Sequence, residues 1–418
     1  MDLQKREQDM LSGKYGPGPK KCMEILVPLG ECNEARRMIP ISSVHIAGNY
    51  TVMMDEGVEW LETLASEGLK VSVFTTKNPE MFDFEEADEL KVPEIYREIQ
   101  ARIDSALRSL GVTLTYSCHH FLVGNLPRFG DHIAWASSGS MVYANSIIGA
   151  RSNREGDHVV LCAAITGVIP EWGLHLTEHR RGEVLVDISD LDLSWLNNAD
   201  FQAMGWQLGK KLGGKVPVLV GLPRDTAIKD IRGILYSMTV TGSMGLVHLV
   251  GITPEAPTVE AAFAGREYSR DVVRVTEKEI REAYGDISSA TDDKVDLVIF
   301  GCPQCTIKEI EKVAALLEGK KVHPETQLWI CTSNWCKTLS QRMGLWEKIK
   351  SAGGRIVADV GAGDGPYPYL TEQGVRTTAI NSARGSYYSH GVFGIGTWFG
   401  SMEQCIQAAI TGRWEGPR

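Results

Sequence analysis

The chain has 418 residues, more than a single hydrophobic core readily serves, so two or three domains are expected. Its 43% hydrophobic and 23% charged residues exclude the disordered and fibrous classes, and a formal net charge of -10 without basic, aromatic-rich stretches excludes nucleic acid as a partner. No run approaches the roughly 18 apolar residues of a membrane span, and the polar opening MDLQKREQDM is unlike a secretory signal, so a cytoplasmic protein is expected.

In chain order, a short helix opens the sequence, Gly16-Pro17-Gly18-Pro19 breaks it, and a second helix is predicted from about Lys20 to Val27. Val44 to Gly48 reads as a short strand, Met54 to Glu67 as a helix, and Lys70 to Thr76 as an alternating strand. Pro93 suits a first helical turn, so a helix is predicted from Pro93 to Leu110, followed by a strand Val112 to Tyr116 that delivers Cys118 to its carboxyl end. From Gly124 to Gly156 the chain is rich in Gly, Ser, Asn and aromatics and poor in charge, as the floor of a polar cavity would be. Val184 to Ile188, Ala199 to Leu212 and Val216 to Leu222 read as strand, helix and strand. The turn-rich Thr253 to Pro257 and the charged Thr276 to Lys294 flank a boundary. Beyond it, strands Val295 to Phe300, Gln327 to Cys331 and Arg355 to Val360 alternate with helices Ile307 to Leu317 and Trp335 to Gly344, ending in a glycine loop from Gly361 to Gly365. The result is a multidomain α/β chain divided approximately into residues 1–120, 121–290 and a doubly wound 291–418.

Nine cysteines are an odd, dilute count, which in a reducing compartment means mostly free thiols. Cys302-x-x-Cys305 and Cys331-x4-Cys336 each follow a strand and open a helix, where thiolates are stabilised and can hold iron or zinc. Set against that is a group of buried, inert cysteines. Four thiolates on zinc would make a closed structural site, whereas three on an iron-sulfur cluster leave an iron open to substrate. Asp359-Val-Gly361-Ala-Gly363-Asp-Gly365 looks like a methyltransferase glycine loop, but fewer than sixty residues follow it, too few for that fold.

The most specific stretch is Gly124-Asn125-Leu-Pro-Arg-Phe-Gly130-Asp131-His132-Ile-Ala-Trp135, continued by Ala144-Asn145-Ser146 and Gly149-Ala-Arg151-Ser-Asn153-Arg154-Glu155-Gly156. It resembles the aconitase X large-subunit pattern, in which a Gly-Glu-His-Ile-Ala-Trp stretch precedes Ala-Asn-Ser-x-x-Gly-Ala-Arg-Thr-Asn-Arg-Glu-Gly. Ile41 to Tyr50, Gly173 to Leu176, Gly301-Cys302-Pro303, Asn381-Ser382-Ala383-Arg384 and Phe399-Gly400-Ser401 to Cys405 extend the resemblance over essentially the whole chain.

The resemblance implies aconitase-like layered α/β domains around a central cleft. It also implies a hydro-lyase activity, as in dehydratases of cis-3-hydroxyproline or phosphomevalonate, an iron-sulfur cluster acting as Lewis acid on the departing hydroxyl, and a small swivelling subunit that closes the cleft and supplies a serine base. Cys118 and Cys302 stand at two of the family's cluster-ligand positions. The third lacks a thiol, because Asp359-Val360-Gly361 stands where the family has Asp-Thr-Cys. Either Cys305, Cys331 or Cys336 has taken over the third ligand, or the cluster is lost and the chain performs a different elimination or isomerisation, or serves as a non-catalytic scaffold. Ser137 replaces a usual glutamate, and Asp131 stands for another.

His132 beside Asp131 is a candidate general acid, with Ser146 grouped as a third catalytic candidate, against the reading of a satisfied structural histidine. Arg151, Arg154 and Arg384 offer guanidinium forks for a small anionic substrate, against solvated surface charge, and Asn125, Asn145, Asn153 and Ser382 would complete the polar lining. Trp135 reads as packing.

Overall fold

The computed structural model describes residues 1–267, 271–363 and 365–417, so Asp364 of the glycine loop lies outside the described residues. Its strands, in chain order, are β1 (Met38–Pro40), β2 (Ser43–Ile46), β3 (Phe74–Lys77), β4 (Ala134–Trp135), β5 (Val168–Pro170), β6 (Val184–Asp187), β7 (Pro217–Val220), β8 (His248–Leu249), β9 (Leu297–Cys305), β10 (Gln327–Thr332), β11 (Arg355–Ala358), β12 (Thr377–Ile380) and β13 (Gly396–Phe399). They form parallel sheets ordered β3-β2-β4, β6-β7-β8 and β11-β10-β9-β12-β13, while β1 and β5 pair antiparallel. The chain is thus the multidomain, layered α/β structure its alternating pattern predicts.

The centre of the largest sheet shows how sequence dictates layer. Leu297, Val298, Ile299 and Phe300 are all buried. Val298 and Phe300 join one apolar cluster with Ile310, Val313 and Ile406, whereas Leu297 and Ile299 join another with Tyr367 and Tyr369. Successive side chains of a strand point to opposite faces, so a strand apolar at every position needs helices on both sides. The strand order also makes β9 a switch point: the chain runs outward through β10 and β11, then crosses to β12 and β13 on the other side. A crevice opens there beyond the carboxyl ends of β9 and β12.

In the first sheet β2 lies between β3 and β4, so strands come from both sides of residue 120, and the core around it gathers residues from Met10 to Ile169. Three elements differ from the sequence reading. The second helix runs over Pro17–Cys32, with Pro17 and Pro19 inside the first turn, where a missing N–H costs nothing, and Pro28 in its interior. Val112 to Tyr116 makes only an isolated bridge from Thr113 to Thr76, and Tyr116, at φ 51°, donates to the Lys77 carbonyl at 2.8 Å. The charged stretch after Thr276 is the helix Glu277–Ile287, nucleated by a reciprocal Thr276/Glu279 cap and buried through Ile280, Ala283, Tyr284 and Ile287 on one face. A further helix, Ile228–Gly242, packs on Asn198–Leu212 so closely that a Cβ on Gly205 would lie 2.9 Å from the Ile234 Cα. Among the described residues no helix is long and apolar enough to cross a membrane.

Candidate active site between two sheet ends

The carboxyl ends of two parallel sheets face one cavity of about 500 Å³. From the first sheet, Ala47 follows β2, Asn78 and Pro79 follow β3, and Ala136 and Ser137 follow β4; from the third, Gly301, Cys302 and Pro303 come from the end of β9, Gly361 from beyond β11, and Arg384 from the helix after β12. Gly301 is at φ 118° with a Cβ position only 2.8 Å from the Cys331 Cβ, so only a glycine lets β9 turn here and aim Cys302 at the cavity.

Both predicted thiols of the resemblance reach this cavity and are half-buried. Buried Gln304 ties their two segments together: it accepts from the Cys118 N–H at 3.1 Å and donates to the Tyr116 carbonyl at 3.0 Å. A directional hydrogen-bond chain ends on Cys118. Asn125 Nδ2 donates to Thr76 Oγ1 (2.7 Å), Thr76 to His45 Nδ1 (2.8 Å), His45 Nε2 to Asn78 Oδ1 (2.5 Å), and Asn78 Nδ2 to Cys118 Sγ (3.1 Å). Burial pushes His45 down to about 3, so it is the neutral link that this polarity requires, stacked on His120 at 3.4 Å. At Cys302, Ser382 Oγ donates to the backbone carbonyl (2.5 Å) and accepts from Gly385 N (3.0 Å), while Arg384 Nη1 lies 3.5 Å from the sulfur with its guanidinium 5.2 Å from the Tyr388 ring centre.

The other cysteines point elsewhere. Cys305 is buried among Ile310 and Cys336 on the far face of the sheet, and burial holds its thiol well above the usual range. Cys331 lies in the opposite core layer, behind Gly301, its thiol raised by burial and then by the neighbouring Cys302 and Cys118. Gly361 lines the cavity without a thiol, and Gly363 closes so tightly on Cys302 that a Cβ there would be 2.9 Å from its sulfur. Among the described residues, no three His, Cys, Asp or Glu side chains form a metal-holding group. The residues present therefore do not fit a three-thiolate cluster: the half-buried pair lacks its third member, and Cys305, Cys331 and Cys336 are all buried in cores.

Arg154 and Arg384 both line the cavity, as expected of anion-binding forks, and Ser382 anchors the wall. The rest of the predicted set is not brought there. His132 Nδ1 faces His175 Nδ1 at 3.0 Å, lowered by burial and then by Arg151; Asp131 Oδ2 accepts from the Arg128 N–H (2.8 Å) in a turn. Arg151 donates to the His175 carbonyl (2.9 Å) and Thr177 (3.0 Å). Ser146 Oγ accepts from Val247 N (3.0 Å), Asn145 bridges Ser152 and Arg180, and Asn153 accepts from Leu174 N (2.7 Å). These side chains are consumed holding the 124–156 segment against its neighbours, because a buried irregular backbone must find partners for its own N–H and C=O groups. Asn125 acts at one remove, as the start of the chain that ends on Cys118.

Residues that sequence reasoning left unassigned complete the cavity: Asn78, Glu155, Asp157, Tyr236 and Tyr388. Burial raises Glu155 to about 7 and Asp157 to about 6, the latter accepting from Ala47 N at 2.7 Å. Glu155 was in plain view next to Arg154; Tyr236 sits on a helix that carried no motif.

Three domain models match the chain in order: aconitase X first domain over residues 1–178, second domain over 182–285 and third domain over 295–411. The phosphomevalonate dehydratase large subunit of Methanocaldococcus jannaschii is 34% identical over 97% of this chain and 100% of its own, and that of Methanothermobacter thermautotrophicus is 36% identical over 94% and 95%. The cis-3-hydroxy-L-proline dehydratase of Pseudomonas aeruginosa is 31% identical over 97% of this chain but 70% of its own length. A solved structure of Thermococcus kodakaraensis aconitase X in its holo form superposes with a TM-score of 0.84 at 33% identity, covering 98% of this chain and 100% of that one. Models, relatives and fold agree from end to end, and the chain belongs to the aconitase X family.

Proposed function

We propose that this chain, a dehydratase large subunit of the aconitase X type, removes water from a small anionic hydroxy acid seated in the cavity between the two sheet ends. The observation that carries the reading is the pairing of Arg154 and Arg384 with Cys118 and Cys302 around one cavity of about 500 Å³, of a size for a small metabolite. Guanidinium groups stay charged and offer paired donors to a carboxylate or phosphate. Phosphomevalonate and cis-3-hydroxy-L-proline, the compounds in the relatives' names, both carry such anions, which supports this substrate class.

A small-subunit partner belongs to the same proposal. The archaeal relatives are named large subunits, and this chain matches only 70% of the longer hydroxyproline dehydratase, leaving room there for a further part. The protein is proposed to work in the cytoplasm. A second reading, favoured by Gly361, is a family member that keeps the cleft and works without a three-thiolate cluster. Anaerobic co-expression with a candidate small subunit, an assay for water loss from both compounds, and iron and sulfide analysis test the set. Turnover without iron selects the second reading, and binding of neither compound discards both.

A further inference from the structure

We propose that Glu155 is the acid of the dehydration, giving its proton to the departing hydroxyl. This rests on the dehydratase reading above. In the step, the C–H bond beside the substrate's acid group breaks and its proton passes to the serine base that the resemblance places on the small subunit; the electron pair forms a carbon-carbon double bond as the C–O bond breaks. The departing oxygen takes the Glu155 proton, one water leaves, and Glu155 regains a proton from solvent as the base releases the one it took.

Geometry singles it out. The resemblance places a glutamate where this chain has Ser137, so that wall of the cavity offers only a hydroxyl. Glu155 and Asp157 are the carboxyl side chains among the described residues lining the cavity. Asp157 is committed, since its Oδ1 accepts from Ala47 N at 2.7 Å and fixes the end of β2 to the helix Asp157–Thr166. His158, the imidazole on the same wall, packs on the Trp60 ring at 5.1 Å. Glu155 is 7% exposed, and its Oε1 is buried without a hydrogen-bond partner. A buried carboxyl oxygen left without a donor costs stability unless the site uses it.

The groups facing it are Arg154 beside it, Asp157 and His158 on the following helix, Asn153 and Trp172 behind, and Arg384 with the two thiols across the cavity. Burial is the largest influence and lifts the carboxyl to about 7 against the opposing pull of Asn153 and Trp172. A group with that affinity for protons exchanges them readily at neutral pH.

The test uses the complex of this chain with its small subunit and compares wild type, E155Q and E155D on phosphomevalonate and cis-3-hydroxy-L-proline. Expected is a kcat loss of about 100- to 10,000-fold in E155Q with KM changed only a few-fold, and partial recovery in E155D. The wild-type rate should fall as pH rises through a limb near 7 that E155D displaces. A kcat within three-fold of wild type in E155Q overturns the proposal. Independently of turnover, carbon-13 NMR of glutamate-labelled chain should show one carboxyl titrating near pH 7 that E155Q removes; its absence overturns the proposal as well. If neither compound is turned over while that resonance is present, the substrate reading fails and the placement of Glu155 stands.

Discussion

Arg384 offers the sharpest separation of function from folding. Its guanidinium sits over the Tyr388 ring at 5.2 Å and lies 3.5 Å from the Cys302 sulfur, but the wall itself is held by Ser382, which binds the Cys302 carbonyl and caps the helix Ala383–Phe393. Replacing Arg384 by alanine leaves that cap intact and removes a cation over a ring worth about 0.5–1 kcal/mol at a partly exposed position. What it removes from a bound anion is larger: charge-assisted hydrogen bonds contribute about 1.5–3 kcal/mol, which at about 1.4 kcal/mol per decade is a Kd weakened roughly 10- to 150-fold. Calorimetric titration of phosphomevalonate and cis-3-hydroxy-L-proline, paired with urea unfolding, reads both quantities. Arg384→Lys should fall between, because it keeps the charge and loses the fork. Unchanged affinity for whichever compound the wild type binds, or a loss matched by a collapse of the unfolding midpoint, would refute the assignment.

Asn78→Leu removes the acceptor of His45 and the donor to Cys118, and should destabilise the chain by about 1–3 kcal/mol in urea, with part of the loss recovered when His45 is also made apolar. The Asp157 carboxyl is raised by burial to about 6, so its neutral form is favoured in the folded state. Its contribution is complete below the unfolded value near 4 and fades as pH rises through about 6; Asp157→Asn should therefore flatten that part of the stability-pH curve, and an unchanged curve would count against it. Lys77 is fully buried with Glu80 and 3.0 Å from Asp104, and burial holds Glu80 well above its usual range. Lys77→Met leaves two buried acids without their ion-pair partner and should cost about 3–5 kcal/mol, measured by the urea midpoint.

How much of this was legible beforehand depended on which force wrote the signal. Strands buried on both faces, such as Leu297 to Phe300, carry their environment in their own composition, and the parallel third sheet with its crevice could be anticipated from them. The resemblance likewise led to Cys118, Cys302, Arg154, Ser382 and Arg384, which the fold brings to one cavity or its wall. The polar residues between Gly124 and Gly156 misled, because a sequence shows that a side chain can hydrogen-bond but not to what. His132, Asn145, Ser146 and Asn153 spend that capacity on His175, Ser152, Val247 and Leu174, contacts 7 to 101 positions away. Helix Glu277–Ile287 was hidden for a different reason: its charged outer face dominates the composition, while the four buried positions that place it appear only at helical spacing. The same rule explains Glu155. It shares a stretch with Asn153 and Arg154, but only a three-dimensional count of donors shows that Asn153 is spoken for, Arg154 faces the cavity, and the carboxyl that follows them keeps an oxygen with nothing to bind. In a family fold whose polar residues mostly serve the backbone, the group left unsatisfied at a cavity wall is the better guide to chemistry than the one embedded in a familiar motif.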